Sequence, residues 1–210
     1  MKRSRVFFNK NNKTLVITNL KVGYSVLNRD MPEDFRRFPN NTISARDNIK
    51  ENDIEKIVFV HRDPAERFMS FYYHWFVKNT HVGDPPILNN QFGVLESVCP
   101  AASFDWFSTL SSQQRKEPEA IQEYCAYFPQ IFQRDSHTAH QVRIIQELDI
   151  DFGRLDILVE LGDLSNFFEQ EFGISIGRGN KSGRPVIVPE FVQLMCRTLY
   201  AIDYDLLRKE

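Results

Sequence analysis

The sequence predicts an α/β protein whose central sheet is mainly parallel, and three observations support this. Uninterrupted apolar runs at residues 15–17 and 57–60 are typical of strands that are buried on both faces. Segments with helix-start signals or helical spacing separate such runs, and this alternation is typical of α/β sheets. The length of 210 residues and the hydrophobic fraction of 42% suit a single domain spanning residues 1–210.

Composition excludes several classes of protein. The net charge is −2 and the isoelectric point is near 6.2, which argues against broad binding to nucleic acid or to membrane surfaces. Cys99, Cys125 and Cys196 are too far apart in sequence for a metal knuckle or a redox pair. A reduced, cytoplasmic setting is therefore expected. The basic N-terminus has no apolar stretch long enough to predict a signal peptide or membrane insertion.

The first half of the chain is predicted to contain two strands, each followed by a turn and a helix. The strand at 15–17 leads to a tight turn at Gly23 and a short helix from Ser25, and residues 28–53 are expected to be mostly loop. The strand at 55–61 leads to a helix with a well-marked start. Asp63 suits its N-cap, Pro64 its first position, and Glu66 completes a capping box.

The second half is predicted to be mainly helical. One further strand is expected at 154–161, and the helix after it is expected to end at Gly173. Ser103 is expected to cap a helix, and Pro129 is expected to end or kink another. The remaining expectations are loops at 80–93 and 177–190, helices at 103–114, 118–132 and 162–173, a loop turning helical over 135–150, and one long helix at 188–209.

Two segments at strand ends are candidate anion sites, because ligands of open α/β sheets bind at the carboxyl ends of the strands. In "KVGYS", a glycine turn opens a helix, Lys21 adds a positive charge and Ser25 adds a hydroxyl. The alternative is a plain tight turn. The pattern GxxxxGK[ST] does not occur, so a phosphate group smaller than a magnesium-bound triphosphate is expected.

The second candidate is "HRDPAERFMS". Helical spacing places Asp63, Arg67, Ser70 and His74 on one face of the predicted helix, where they form a polar stripe among aromatic residues. We expect Arg62 and Ser70 both to reach an anion near the helix start. For Arg67 we expect pairing with a carboxylate of the helix instead of ligand binding.

The stretch "RDPAERFMSFYY" resembles the "RDPxERLxSxY" element of carbohydrate sulfotransferases that use 3′-phosphoadenosine 5′-phosphosulfate (PAPS). The stretch "LKVGYSVL" is similar to the family's "PKVGSTSL", with Leu20 in place of the proline and Tyr24 in place of a small residue. Three weaker similarities follow in the family's order. They are "DSHTAHQ", which matches at His137 and Gln141, "LDILVELGDL", and "GNKSGR" followed by "LYAIDYDLL".

The resemblance implies a P-loop-like three-layer fold with helices on both sides of the sheet, and it implies roles for named residues. A loop that contacts the 5′-phosphosulfate would comprise Lys21, Val22, Gly23, Tyr24 and Ser25. In the same family the 3′-phosphate is held by residues that match Arg62 and Ser70. A basic loop covers it, and here that loop would contribute Lys181, Ser182 and Arg184.

The implied reaction moves a sulfuryl group from PAPS to an acceptor hydroxyl, which we expect to belong to a saccharide. Lys21 would stabilise the leaving phosphate without a metal ion. A base must accept the proton of the hydroxyl, and His137 is the first candidate and His74 the second. Two alternatives stay open: a protein that binds PAPS or its bisphosphate product without turnover, and a kinase of small molecules.

Overall fold

The computed structural model describes residues 4–39, 41–78, 90–134, 137–177 and 187–207. The chain divides into two compact units. The first, here called the sheet unit, comprises Met1–Asp63, Gln141–Pro185 and Ile202–Glu210. The second, the helical unit, comprises Pro64–His140 and Val186–Ala201.

Five strands of the sheet unit form one mixed sheet. They are β1 (Val6–Asn9), β2 (Thr14–Ile17), β3 (Phe35–Arg37), β4 (Lys56–His61) and β5 (Ile157–Glu160), in the order β3-β1-β2-β4-β5. β2, β4 and β5 are parallel to one another, whereas β1 pairs antiparallel with both β2 and β3. The α/β class is confirmed. The expected parallel character holds for three strands, and an antiparallel edge extends them.

Helices occur throughout the described residues. They are α1 (Tyr24–Asp30), α2 (Thr42–Lys50), α3 (Pro64–Tyr72), α4 (Asn90–Glu96), α5 (Ala101–Thr109), α6 (Pro118–Ile131), α7 (Arg143–Glu147), α8 (Leu164–Phe172), α9 (Glu190–Leu199) and α10 (Ala201–Leu207). A π-helical segment, Tyr73–Lys78, continues α3. Short 3₁₀ turns lie at Gln114–Lys116, Phe152–Arg154 and Leu161–Asp163.

The sheet is covered on both faces, as the uninterrupted apolar run of β4 predicts. Val58 and Val60 belong to a core cluster that also contains residues of α1 and α8. Ile57 and Phe59 belong to a second cluster, which contains residues of α2 and α7. Successive side chains of a strand point to opposite faces, so both sets must be apolar when helices cover both sides. The sheet unit therefore has three layers.

Three elements of the sheet unit were wrongly expected to be loop or were overlooked. β1 is short and follows a basic stretch, and β3 contains two arginines on an edge. α2 was missed because its sequence is largely polar and only Ala45 is buried. Its start is nonetheless well defined, since the Asn41 side chain accepts a hydrogen bond from Ile43 N. Polar and edge elements give weak periodic signals.

The helical unit is built around an aromatic core. Phe68 and Tyr72 from α3 and Tyr124 and Phe128 from α6 form a chain of ring contacts, with centroid separations between 4.7 and 6.5 Å. Phe76, Phe92 and Phe107 extend the same cluster. The aromatic richness that is visible in the sequence thus has a packing explanation.

Several predicted boundaries in the second half were wrong. α5 begins at Ala101, so Ser103 lies inside it and does not cap it. α4 starts at Asn90, inside the expected loop at 80–93. The single C-terminal helix is two helices, α9 and α10, separated at Tyr200. The expected helix at 118–132 is confirmed as α6, Pro118–Ile131, and Pro129 lies inside it, in its last turn. The expected end of α8 at Gly173 is confirmed, since Gly173 has a left-handed φ of 66°.

Candidate functional site

The loop between β2 and α1 is tightly hydrogen-bonded within itself. Val22 N donates to Asn19 O at 3.1 Å, and the Thr18 hydroxyl donates to Val22 O. Leu20 N donates to the Asn19 side-chain oxygen at 2.8 Å. The amide of Val22 is therefore used inside the loop, and its side chain is fully buried in the core. Val22 contributes to loop geometry through these contacts.

Two residues of this loop have left-handed backbone conformations. Gly23 has φ 69° and precedes the first residue of α1, Tyr24. A Cβ at Gly23 would lie 3.1 Å from Leu164 Cδ2 and 3.3 Å from Leu161 Cδ1. The glycine is thus required both by its φ angle and by close packing of apolar side chains. Packing alone explains it, without a ligand.

Lys21 also has a positive φ, of 64°. That conformation costs a non-glycine residue on the order of 1 kcal/mol, and such residues often mark functional sites. Lys13, Gln133 and Asp149 share the same feature in other turns, so it is not specific to this loop. The half-buried Lys21 sits at the predicted position after β2.

Ser25 lies in the first turn of α1 and is exposed to solvent. Its hydroxyl makes no hydrogen bond in the described part of the chain. The neighbouring Tyr24 is half-buried, and its carbonyl accepts from Asn28 Nδ2 at 2.8 Å. α1 has no side-chain N-cap bond. The Ser25 hydroxyl is therefore a donor at the start of the helix that follows Lys21.

Arg62 follows directly after β4 and is half-buried. Its backbone is held on both sides by one side chain. Arg62 N donates to Gln141 Oε1 at 2.9 Å, and Gln141 Nε2 donates to Arg62 O at 2.7 Å. Because β2 and β4 are parallel neighbours, the loop after β2 and Arg62 lie at the same edge of the sheet.

Three buried polar residues at this edge had no role predicted from the sequence. They are Asn19, Gln141 and Asp203, with exposures of 4%, 0% and 0%. Gln141 and Asp203 do occur in the segments "DSHTAHQ" and "LYAIDYDLL" that resemble the sulfotransferase family, but no role was assigned to either. Burial of a polar side chain is a signal that the sequence alone does not reveal.

Next to Arg62, the imidazole of His61 ends strand β4. It is half-buried, and desolvation lowers the pKa of His61 below its ordinary value. At the carboxyl edge of the sheet, this half-buried imidazole therefore favours the neutral form. His61 was not among the predicted site residues.

In the helical unit, Arg67 is buried, with an exposure of 1%. Its Nη1 donates to Ala139 O at 2.7 Å. Arg67 therefore binds within the protein, as expected, but this partner is a backbone carbonyl and not a carboxylate of the helix. Ser70, also on α3, is half-buried, and its hydroxyl makes no hydrogen bond in the described part of the chain, so it does not cap a local carbonyl.

The two candidate bases, His74 and His137, both contact Trp75. The ring centroids of His74 and Trp75 are 5.0 Å apart, and those of Trp75 and His137 are 5.8 Å apart, both edge to face. His137 also lies 6.4 Å from Phe71. His74 belongs to the π-helical segment, so the expected α-helical stripe does not continue regularly beyond Tyr72. π-helical turns are often found at functional sites.

The structure assigns the predicted residues to two units. Lys21, Gly23, Ser25 and Arg62 belong to the sheet unit, and Ser70, His74 and His137 belong to the helical unit. The predicted lid residues Lys181, Ser182 and Arg184 lie outside the described residues, as does His81.

A small cleft in the sheet unit contains none of the predicted site residues. It has a cavity volume of only about 10 Å³ and is lined by Arg5, Val6, Pro39, Thr42, Ala45, Ile144 and Leu148. Among the described residues, no cluster of three or more His, Cys, Asp or Glu side chains is arranged to hold a metal ion. Within the same residues, no helix has the length and apolar character needed to cross a membrane.

Comparisons with family models, with curated proteins and with solved structures found no match to this chain. The geometry and chemistry of the residues therefore carry the functional argument.

Proposed function

We propose that the protein is a PAPS-dependent sulfotransferase with a P-loop-like fold, and that its acceptor is a hydroxyl of a saccharide. One observation carries the proposal. The two segments that resemble phosphate-binding elements follow neighbouring parallel strands, β2 and β4, and so share one edge of the sheet. Ligands of open α/β sheets bind at this edge. A donor with phosphates at both its 3′ and 5′ positions suits two adjacent anion sites.

The chemistry of the loop residues supports the proposed donor. In sulfuryl transfer the bond from sulfur to the 5′-phosphate oxygen breaks, a bond to the acceptor oxygen forms, and the acceptor loses its proton. Positive charge and hydroxyl donors near the 5′-phosphate would stabilise the charge that develops on the leaving group. Lys21 and Ser25 supply these groups. The guanidinium of Arg62 suits directional bonds to the 3′-phosphate.

We assign the acceptance of the hydroxyl proton to His137, with His74 as the second candidate. Both residues are half-buried and both contact the indole of Trp75, which would limit their rotation. A neutral imidazole is the side chain best suited to accept a proton near pH 7. A His137→Ala variant that keeps full turnover would exclude His137 as the base.

Calorimetric titration with adenosine 3′,5′-bisphosphate tests the proposed donor site. Arg62→Ala is expected to abolish measurable binding, because it removes a charge-assisted contact to one phosphate. Ser70→Ala is expected to weaken binding roughly tenfold, because it removes one proposed hydrogen bond to the charged 3′-phosphate.

The matched control is Arg154→Ala. Arg154 is an exposed arginine of the same unit, and it lies before β5, at the amino end of the parallel strands. Removing it changes the net charge by the same amount at the opposite edge of the sheet. If Arg154→Ala weakens binding as much as Arg62→Ala, the effect is general electrostatics and not a local phosphate site.

A second function is favoured by the surroundings of the candidate bases. The rings of His74 and His137 make aromatic contacts that suit a structural role equally well. The protein would then bind the nucleotide without turnover. Labelled sulfate that moves from PAPS to a saccharide or phenol acceptor supports the enzyme. Tight binding of the bisphosphate without transfer to any acceptor of the panel supports the binding protein.

A further inference from the structure

We propose that Gln141 is a positioning residue that fixes the distance between the loop after β2 and Arg62, and thereby sets the preference of the site for a 3′-phosphorylated nucleotide. This inference rests on the proposed function and deepens it. The evidence is a buried polar network, here called the Gln141 network, formed by Asn19, Gln141, Asp203 and the backbone of Arg62.

Each of the four polar groups of Gln141 is hydrogen-bonded. Its side-chain oxygen and nitrogen hold the backbone of Arg62, at 2.9 and 2.7 Å. Its carbonyl accepts from Asn19 Nδ2 at 3.2 Å. Its backbone N–H donates to Asp203 Oδ2 at 2.9 Å. One fully buried residue therefore links the end of β4, the loop after β2 and helix α10.

Asp203 anchors this arrangement. Its second carboxylate oxygen accepts from Val142 N at 3.1 Å, so the carboxylate holds two successive backbone amides. Asp203 is fully buried. Hydrogen bonds from amides to a buried carboxylate are stronger than those between neutral groups, and loss of either partner leaves a buried polar group unsatisfied. The backbone of Gln141 is consequently held in one position.

The Asn19 side chain connects Gln141 to the loop after β2. Its Nδ2 binds Gln141, and its Oδ1 accepts the N–H of Leu20, the residue before Lys21. The two ends of the network therefore act on different candidate anion sites. The Gln141 side chain holds only Arg62, whereas the Asn19 side chain holds the loop that contains Lys21.

Because Gln141 and Asn19 hold different anion sites, their substitution should affect the affinities for two nucleotides differently. Gln141→Met keeps the length of the side chain but removes both bonds to Arg62. We expect it to weaken binding of adenosine 3′,5′-bisphosphate roughly tenfold and to change binding of adenosine 5′-monophosphate by less than about twofold. Asn19→Leu removes the side-chain bonds of Asn19 to Gln141 O and to Leu20 N, which hold the loop after β2. We expect it to weaken both ligands roughly tenfold.

Asn9→Leu is the matched control. Asn9 is also a buried amide of the sheet unit, with an exposure of 4%, and both of its side-chain atoms are hydrogen-bonded, to Asp34 and to Asn11 N. It ends β1 opposite Thr14, the first residue of β2, and so lies at the other end of the sheet. We expect Asn9→Leu to lower stability without changing the affinity ratio of the two nucleotides.

The titrations are made on the full chain, with folding of each variant checked by circular dichroism. If Gln141→Met does not fold, Gln141→Leu replaces it, since this variant also removes both bonds to Arg62 and adds no charge beside the phosphate site. An unchanged affinity ratio in the folded Gln141 variant overturns the inference while the proposed function stands. If the wild-type protein does not bind the bisphosphate, the proposed function fails and the inference fails with it.

Discussion

At the scale of single residues, Lys21 combines a left-handed backbone with a candidate role in binding the donor. Asparagine adopts this conformation more readily than lysine, so Lys21→Asn removes the charge without adding backbone strain. We expect the free energy of unfolding to stay within about 0.5 kcal/mol of wild type. Affinity for adenosine 3′,5′-bisphosphate is expected to fall roughly tenfold or more.

Urea denaturation and calorimetry of Lys21→Asn measure these two quantities. The matched control is Lys13→Asn, because Lys13 also has a positive φ but pairs with Asp53 and Glu55 in an exposed turn. Lys13→Asn should leave nucleotide affinity unchanged. Equal losses of affinity in both variants would contradict a local role for Lys21.

His61 makes stability depend on pH. Desolvation lowers its pKa below 6.5, so the folded protein binds fewer protons than the unfolded chain as the pH falls below about 6.5. The free energy of unfolding should therefore decrease as the solution is acidified from pH 6.5 to pH 5. In His61→Gln this dependence should be weaker, as followed by urea denaturation at several pH values. Identical slopes for the two proteins would show that His61 makes no contribution.

At the scale of elements, Gly173 and Gly162 offer a paired test of helix termination. Gly173 ends α8 with φ 66°, and a Cβ there would meet no atom within 4 Å. Gly173→Ala should therefore lower the free energy of unfolding by about 1 kcal/mol through backbone strain alone. Gly162 has the same open surroundings without a positive φ, so Gly162→Ala should be neutral within about 0.5 kcal/mol.

Thermal and urea denaturation measure both variants. A loss in Gly173→Ala no larger than that in Gly162→Ala would mean that the left-handed conformation is not what ends this helix.

Arg115 is an element-linking residue that the sequence does not identify. It is buried, with an exposure of 1%, and donates to Phe107 O and Ser108 O at the end of α5 and to Phe76 O in the π-helical segment. Its guanidinium also lies 4.9 Å from the ring centre of Phe92. Desolvation lowers the pKa of Arg115.

Removal of this side chain takes a donor from each of three carbonyls, of which Phe107 O also accepts from Leu110 N. Arg115→Met should therefore lower the free energy of unfolding by about 2–4 kcal/mol in urea denaturation. The exposed Arg143, which pairs with Glu147 one helical turn away, is the control, and Arg143→Met should cost less than about 0.5 kcal/mol. A small loss in Arg115→Met would show that these carbonyls find other partners.

Predictions for elements succeeded where one signal was strong. β4 was found because its apolar run is long, and α3 because Pro64 and Glu66 mark its start. β1 and β3 lie at an antiparallel edge, where short length and charged side chains weaken the pattern. The break at Tyr200 was missed because no glycine or proline marks it in the sequence, although the Tyr200 backbone (φ −109°, ψ 27°) is not helical.

At the scale of the whole molecule, the sequence could predict the α/β class but not the division into two units. It could also predict which strand ends carry candidate anion-binding residues, because Lys21 and Arg62 stand directly after apolar runs. It could not predict the Gln141 network. That network joins residues 19, 62, 141 and 203, and such distant pairings leave no periodic pattern in the chain.

We propose that the sheet edge formed by β2 and β4 binds a nucleotide with phosphates at its 3′ and 5′ positions. Calorimetry on the wild-type protein tests it most directly, with adenosine 3′,5′-bisphosphate, adenosine 5′-monophosphate and magnesium ATP titrated in parallel. We predict one-to-one binding of the bisphosphate, at least roughly tenfold tighter than either other nucleotide, because only the bisphosphate engages both anion sites. Tighter binding of magnesium ATP, or no binding of the bisphosphate, would contradict the claim.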